Sequence, residues 1–162
     1  MQNASSTADR EIILSRIINA PRQLVWQAYT DPKHLDKWWG PNGFTNVTKE
    51  MNFAVGGTWR YTMHGPDNMD FPNRITYTKI EEPSRLEYHH DSDEENPSIY
   101  FDVTVTFEDL DGKTKITQRT VLPTIEMLRM VVEQFGAIEG GKQHLANLDL
   151  YAKELSGKKA LL

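Results

Sequence analysis

The sequence has no cysteine, which excludes a disulfide, a thiolate nucleophile and a Cys-ligated zinc, and predicts a cytoplasmic chain rather than a small secreted scaffold. It also lacks an excess of positive charge. Its 18 Lys and Arg stand against 23 Asp and Glu, a net charge of -5, so no nucleic acid and no anionic membrane surface is expected as a main partner. No apolar run approaches the roughly 18 residues of a membrane span, and no charged start leads into an apolar segment, so neither a span nor a signal peptide is predicted. A nucleophile with its base, a glycine-rich phosphate loop and a close carboxylate pair are likewise missing, so no catalytic residue and no cofactor is assigned.

What is present fits one domain. Of the 162 residues, 1–10 read as a flexible N-terminal tail, 11–156 as the domain and 157–162 as a C-terminal tail. The isoleucine-rich stretch Glu11 to Ile18 predicts a strand closed by Asn19-Ala20-Pro21, with the proline inside the first turn of a helix. Thr30-Asp31-Pro32 caps a second short helix carrying Leu35, Trp38 and Trp39. From Phe44 to Leu122 the period becomes two, with turns at Gly65-Pro66-Asp67-Asn68, Pro83-Ser84, Asp91 to Pro97 and Asp111-Gly112, which predicts a meander of antiparallel strands. Its clearest member alternates Ile99, Phe101, Val103, Val105 and Phe107 with polar residues. Beyond Pro123-Thr124 a helical pattern begins that falters near Gly136 and again at Gly140-Gly141, where a kink or short break is expected. Leu145, Leu148, Ala152 and Leu155 then form an amphipathic stripe. The expected class is therefore α+β: a curved antiparallel sheet wrapped around a long C-terminal helix, with two short helices after the first strand.

Several stretches carry a resemblance. Ser15-Arg16-Ile17-Ile18-Asn19-Ala20-Pro21-Arg22, Val25-Trp26, Tyr29-Thr30-Asp31-Pro32 and Trp38-Trp39-Gly40-Pro41 are similar to the opening of proteins like the activator of the 90-kDa heat-shock protein ATPase. Gly56-Gly57-Thr58-Trp59-Arg60-Tyr61 and Ile80 to Leu86 resemble later landmarks of the same family. That family belongs to the START-like, or SRPBCC, superfamily, and the resemblance implies its helix-grip fold and a cavity between the last helix and the sheet. For function it implies three alternatives: a carrier or sensor of a small hydrophobic molecule, a protein acting with a heat-shock chaperone, or an enzyme of the polyketide-cyclase kind. Monomer and homodimer both occur in the superfamily. One departure stands out: many relatives carry Gly-Trp at the start of the last helix, whereas here Lys142 follows Gly141.

The candidate ligand-binding residues are those expected to face inward: Trp38, Trp39, Phe44, Trp59, Tyr61, Met63, Phe101, Gln118, Met127, Met130 and Phe135. Aromatic rings give contact area with few rotors, methionine adapts to varied shapes, and Gln118 offers a hydrogen bond. A hollow of about 300 Å³ left empty would cost roughly 7 kcal/mol, so it must be filled or collapsed. His89 and His90 alternate on a strand and cannot grip one metal together, and no metal site is assigned; His34, His64 and His144 are placed at the surface by default, though any one could serve as a polar group of the pocket. Asp91 to Asn96 reads as a solvated acidic turn rather than a calcium loop. Arg60 and Arg119 are expected to face water.

Overall fold

The structure, a computed structural model, describes residues 6–160, so only 1–5 and 161–162 of the expected tails lie outside it; within them Ala8–Arg10 form a 3-10 turn and 157–160 complete the last helix. Strand β1 (Glu11–Ile18) places Ile12, Leu14 and Ile18 on one side and the exposed Ile13 and Ile17 on the other. Pro21 is the N-cap of α1 (Arg22–Thr30) rather than a residue of its first turn, and its carbonyl accepts the Leu24 and Val25 N–H groups. In α2 (Pro32–Trp38) the proline does open the helix, and the Asp31 side chain accepts the Lys33 N–H.

The remaining strands are β2 (Thr45–Met51), β3 (Thr58–His64), β4 (Asp70–Glu81), β5 (Arg85–Asp91), β6 (Tyr100–Asp109) and β7 (Thr114–Val121), followed by α3 (Ile125–Glu133) and α4 (Ala137–Ala160). They form one sheet in the order β1-β7-β6-β5-β4-β3-β2, antiparallel throughout. Sequence neighbours pair everywhere except between β1 and β2, which sit at opposite edges, so α1 and α2 carry the chain across the concave face. Two register shifts, at Thr48/Glu50 and Tyr77/Lys79, add to the bending of the sheet. Pro72 pairs with Thr62 of β3 but precedes Arg74, where pairing with β5 begins, so its missing N–H costs no ladder bond on that side. The β6–β7 hairpin turns at Asp111 and Gly112 with φ of 58° and 98°, the left-handed pair that a tight two-residue turn requires.

The expected stripe of α4 is buried: Leu145, Leu148 and Ala152 join the core formed by the inner sheet face. Asp149 fixes how the helix lies, accepting the Asn19 N–H at 2.9 Å and pairing with Arg16 at 3.2 Å. The chain breaks between α3 and α4 at Gly136, with φ of 61°, the first of the two places where the helical pattern falters. At the second, Gly140-Gly141, the expected break is absent: the helix runs on, with Gly141 lying against Leu14, and it continues past Gly157 to Ala160.

The acidic turn is also less solvated than expected. Asp91 and Asp93 are buried against outward-facing arginines: Arg74 pairs with Asp91 at 2.8 Å, and Arg60 with Asp93 at 2.9 Å. Burial pushes the Asp91 carboxyl up, but the Arg74 guanidinium and the Asp93 N–H outweigh it and hold the group below its ordinary value. No helix among the described residues is long and apolar enough to cross a membrane.

Candidate functional site

The space between α4 and the sheet divides into a solid half and a hollow half. In the solid half Trp26, Phe107, Tyr29 and Trp38 meet ring to ring in that order; Tyr29 alone has Trp38, Trp39 and Phe107 within 5.6 Å between ring centroids. Trp59 stacks on Tyr61 at 3.9 Å. Beneath Tyr29 and Tyr88 the residual space is too small for a water molecule.

The hollow half is a cavity of about 270 Å³ whose wall is drawn from β1, β3, β5, β6, β7 and the α3–α4 junction. Its apolar surface comes from Leu14, Phe101, Val103, Leu122 and Val131, and among the described residues no Lys, Arg, Asp or Glu lines it. Two glycines shape it. A Cβ on Gly141 would overlap Leu14 Cδ1, so the bare glycine lets the Leu14 side chain pack against the helix. Gly40, at φ of 100°, lies against Met63, and α4 grips it twice: its N–H donates to His144 Nδ1 at 3.0 Å and its carbonyl accepts from Asn147 at 2.9 Å.

Polar groups gather at the floor. Asn73 donates its amide to the Phe71 carbonyl, so its Oδ1 faces His90 and must accept from His90 Nε2, 2.9 Å away. His90 is thus a neutral imidazole protonated on Nε2. Burial lowers its pKa to about 4, the Asp91 charge opposing and His89 assisting. Tyr61 accepts the Trp39 indole N–H at 2.9 Å. In the adjoining wall Tyr29 donates to Gln118 Oε1 at 3.2 Å and lies 3.2 Å from the Tyr88 hydroxyl. Burial and then the mutual proximity of these phenols raise the pKa of Tyr29 well above the ordinary value, so it stays protonated.

Of the residues expected from sequence, Trp39, Tyr61, Met63, Phe101, Gln118 and Phe135 border this cavity. Phe135 stands at its rim, 63% exposed, beside Gly136. Trp38 and Trp59 belong to the packed half instead: the Trp38 indole donates to the Ala28 carbonyl and that of Trp59 to Thr48 Oγ1. Phe44 and Trp38 border a different, more polar hollow between the α2–β2 loop and α4, with Asn46 and Glu154 in its wall. On α3 the cavity residue is Val131, the only buried side chain of that helix; Met127 lies one turn earlier and Met130 is turned aside by about 100°.

The reading from sequence missed His90 and Asn73. Of the three histidines left between surface and pocket, His144 is the one in the cavity wall, 7% exposed and packed on Trp38 and Trp39 at 4.9 and 4.5 Å. The alternation of His89 and His90 did separate them: His89 faces Asp102 on the outer side, at 2.9 Å, while His90 faces the cavity. No cluster among the described residues could hold a metal ion. Arg60 and Arg119 do stand on the outer face, paired with Asp93 and Glu11.

A curved antiparallel sheet gripping one long helix, with an uncharged cavity at one end of the grip, defines the helix-grip class of α+β proteins. The chain belongs to the family described as Activator of Hsp90 ATPase homolog 1-like protein, whose model matches residues 19–153. Among curated proteins none matches it. Among solved structures it resembles a protein from Arthrobacter aurescens, with 25% identity over 92% of this chain and 89% of that one and a TM-score of 0.85. A Mycobacterium smegmatis protein is 26% identical over 90% and 91% of the two chains, with a TM-score of 0.78. The AHSA1 protein of Silicibacter pomeroyi shares the fold at a TM-score of 0.71, with 17% identity over 91% and 99%.

Proposed function

We propose that this protein binds a small apolar molecule in the cavity between the α3–α4 junction and the sheet, as a carrier or sensor. The observation that carries the reading is the division of the interior. One half is packed solid with aromatic rings while the other keeps about 270 Å³ open behind a wall without a charged side chain. The hollow opens to solvent at its rim, so an apolar guest would displace water from an apolar wall, which favours binding. Side chains that could close it are held back by Gly141 and Gly40, so the space is kept for an occupant. The volume lies near the small end of ligand pockets and suits a molecule of two fused rings.

The test pairs native mass spectrometry with thermal-shift screening against apolar compounds, for the wild type and for Val103→Phe. Val103 is buried at the centre of the cavity-facing row of β6, so the larger ring fills the hollow. Retained or stabilising compounds on the wild type, lost in a folded Val103→Phe, support the reading. No compound bound by the wild type from a broad panel contradicts it.

A second reading, an enzyme acting on a cyclic substrate in the same cavity, is favoured by the Tyr61–His90–Asn73 cluster. With Nε2 spent on Asn73, His90 Nδ1 is left as a basic site. A pKa of about 4 makes it a weak base at neutral pH, which ranks this reading second. Deuterium uptake beside the carbonyl of a bound ketone in heavy water, abolished in His90→Gln, would establish it, and unchanged ketone would remove it.

A further inference from the structure

The binding reading above leaves the chemistry of the ligand open, and the protons on the cavity floor narrow it. His144 Nδ1 accepts the Gly40 N–H at 3.0 Å, so it carries no proton, and the neutral ring holds its proton on Nε2. Among the described residues that N–H meets no protein acceptor. It is not sealed off either: among the described residues the only fully enclosed side-chain nitrogen or oxygen without a partner is Asn46 Oδ1. His144 is one of the residues that line the cavity.

Tyr61 is left in the same condition by a separate chain of bonds. Its oxygen accepts from the Trp39 indole at 2.9 Å. The neighbouring His90 Nε2, 3.3 Å away, already bears the proton it gives to Asn73, so it cannot accept from Tyr61. The Tyr61 hydroxyl proton is therefore unspent. Both free donors adjoin one side chain: the His144 ring centroid lies 4.5 Å from that of Trp39, and the Trp39 indole N–H points at the Tyr61 oxygen.

Resting on the binding reading, we infer that the ligand is an uncharged apolar molecule bearing a carbonyl, whose oxygen sits beside Trp39 and accepts from His144 Nε2–H and the Tyr61 hydroxyl. A carbonyl oxygen has two lone pairs for two donors. A carboxylate would meet the same donors with no cation in the wall among the described residues, and would have to leave water for an apolar chamber uncompensated. An amine would meet N–H and O–H groups pointing the wrong way. His144 also stays neutral across ordinary pH, since burial and the nearby His90 hold its pKa down to about 3, so it supplies no positive charge for an anion.

Three probes of one skeleton separate these cases: 2-acetylnaphthalene, 2-ethylnaphthalene and 2-naphthoate, titrated by calorimetry at pH 7 into the wild type and into His144→Asn. The asparagine oxygen can take over from Nδ1 in accepting the Gly40 N–H, while the Nε2 donor is lost. On the wild type the ketone is expected to bind about tenfold more tightly than the hydrocarbon, and the naphthoate more weakly than either. In His144→Asn the preference for the ketone should shrink severalfold while the hydrocarbon is held as before. In the wild type, the ¹⁵N resonance of His144 Nε2 should shift with the ketone and stay in place with the hydrocarbon, a readout independent of whether the variant folds. Equal or tighter binding of the hydrocarbon or the naphthoate overturns the inference and leaves the cavity reading standing; binding of none of the three overturns both.

Discussion

Gly40 donates its backbone N–H to Nδ1 of His144 at 3.0 Å, tying the loop after α2 to the middle of α4 through a histidine that must stay neutral to accept. The pH dependence of stability follows. In the unfolded chain a histidine titrates near about 6.5, whereas His144 in the fold holds out to about 3 and His90 to about 4. Between those limits the unfolded state binds more protons, so stability is full above about pH 6.5 and falls as the pH is lowered towards the folded values, by up to roughly 1.4 kcal/mol per pH unit for each proton. The charges nearest these rings are Asp91, which opposes the effect at His90, and His89; Tyr29 and Tyr61 stay protonated throughout. Urea denaturation from pH 7.5 to 4 should show this decline, and His144→Asn should flatten it. An unchanged slope in the variant would assign the decline to other groups.

Gly140 and Gly141 should answer differently to alanine. A Cβ on Gly140 meets only Pro41 Cβ at 3.9 Å, an ordinary contact, so Gly140→Ala should gain about 0.5–1 kcal/mol from helix propensity. On Gly141 it drives Leu14 Cδ1 into the cavity, so Gly141→Ala should give less of that gain and weaken ligand binding severalfold. Thermal denaturation and calorimetry on the two variants check the contrast, and equal effects would refute it.

Arg74→Met should cost about 2–3 kcal/mol. It removes the partner of Asp91, which is 7% exposed and would be left buried with its charge unmatched. Arg119→Met is the control, because its partner Glu11 sits on the edge strand β1, where water can take over from the lost guanidinium, so the loss should be smaller than for Arg74→Met. Urea midpoints report both; an equal loss would mean that burial of Asp91 matters little.

Helix α3 should exchange its amide hydrogens well ahead of the sheet and of residues 144–152 of α4. Val131 is its only buried side chain, and its packing is correspondingly thin. A ligand beneath Val131 and Phe135 should slow that exchange. Hydrogen exchange with and without 2-acetylnaphthalene measures it, and protection equal to that of α4 without ligand would argue against a loosely held cover.

The fold was legible because its signals are local. The alternation from Phe101 to Phe107, the Asp111-Gly112 turn and the Leu145–Leu148–Ala152 stripe each follow from the geometry of one element, and strand parity alone turned Tyr61, Met63, Phe101 and Gln118 towards the cavity. On α3 locality fails: Met127, Leu128, Met130, Val131 and Val132 cover more than one side, so only tertiary packing selects Val131. Gly141 reads as a helix breaker until Leu14 is seen against it. The roles of His90, Asn73 and His144 rest on bonds to Phe71, Tyr61 and Gly40 that span from 2 to 104 residues, and no spacing announces them.

Methyl-labelled NMR during titration with 2-acetylnaphthalene tests the cavity most directly. Shifts and intermolecular NOEs should concentrate on Leu14, Val103, Leu122 and Val131, with Ile13 and Ile17 on the outer face of β1 unmoved. Saturating shifts on Ile13 and Ile17 with the four inner methyl groups silent, or no shift at millimolar ketone, would contradict a ligand site inside the grip.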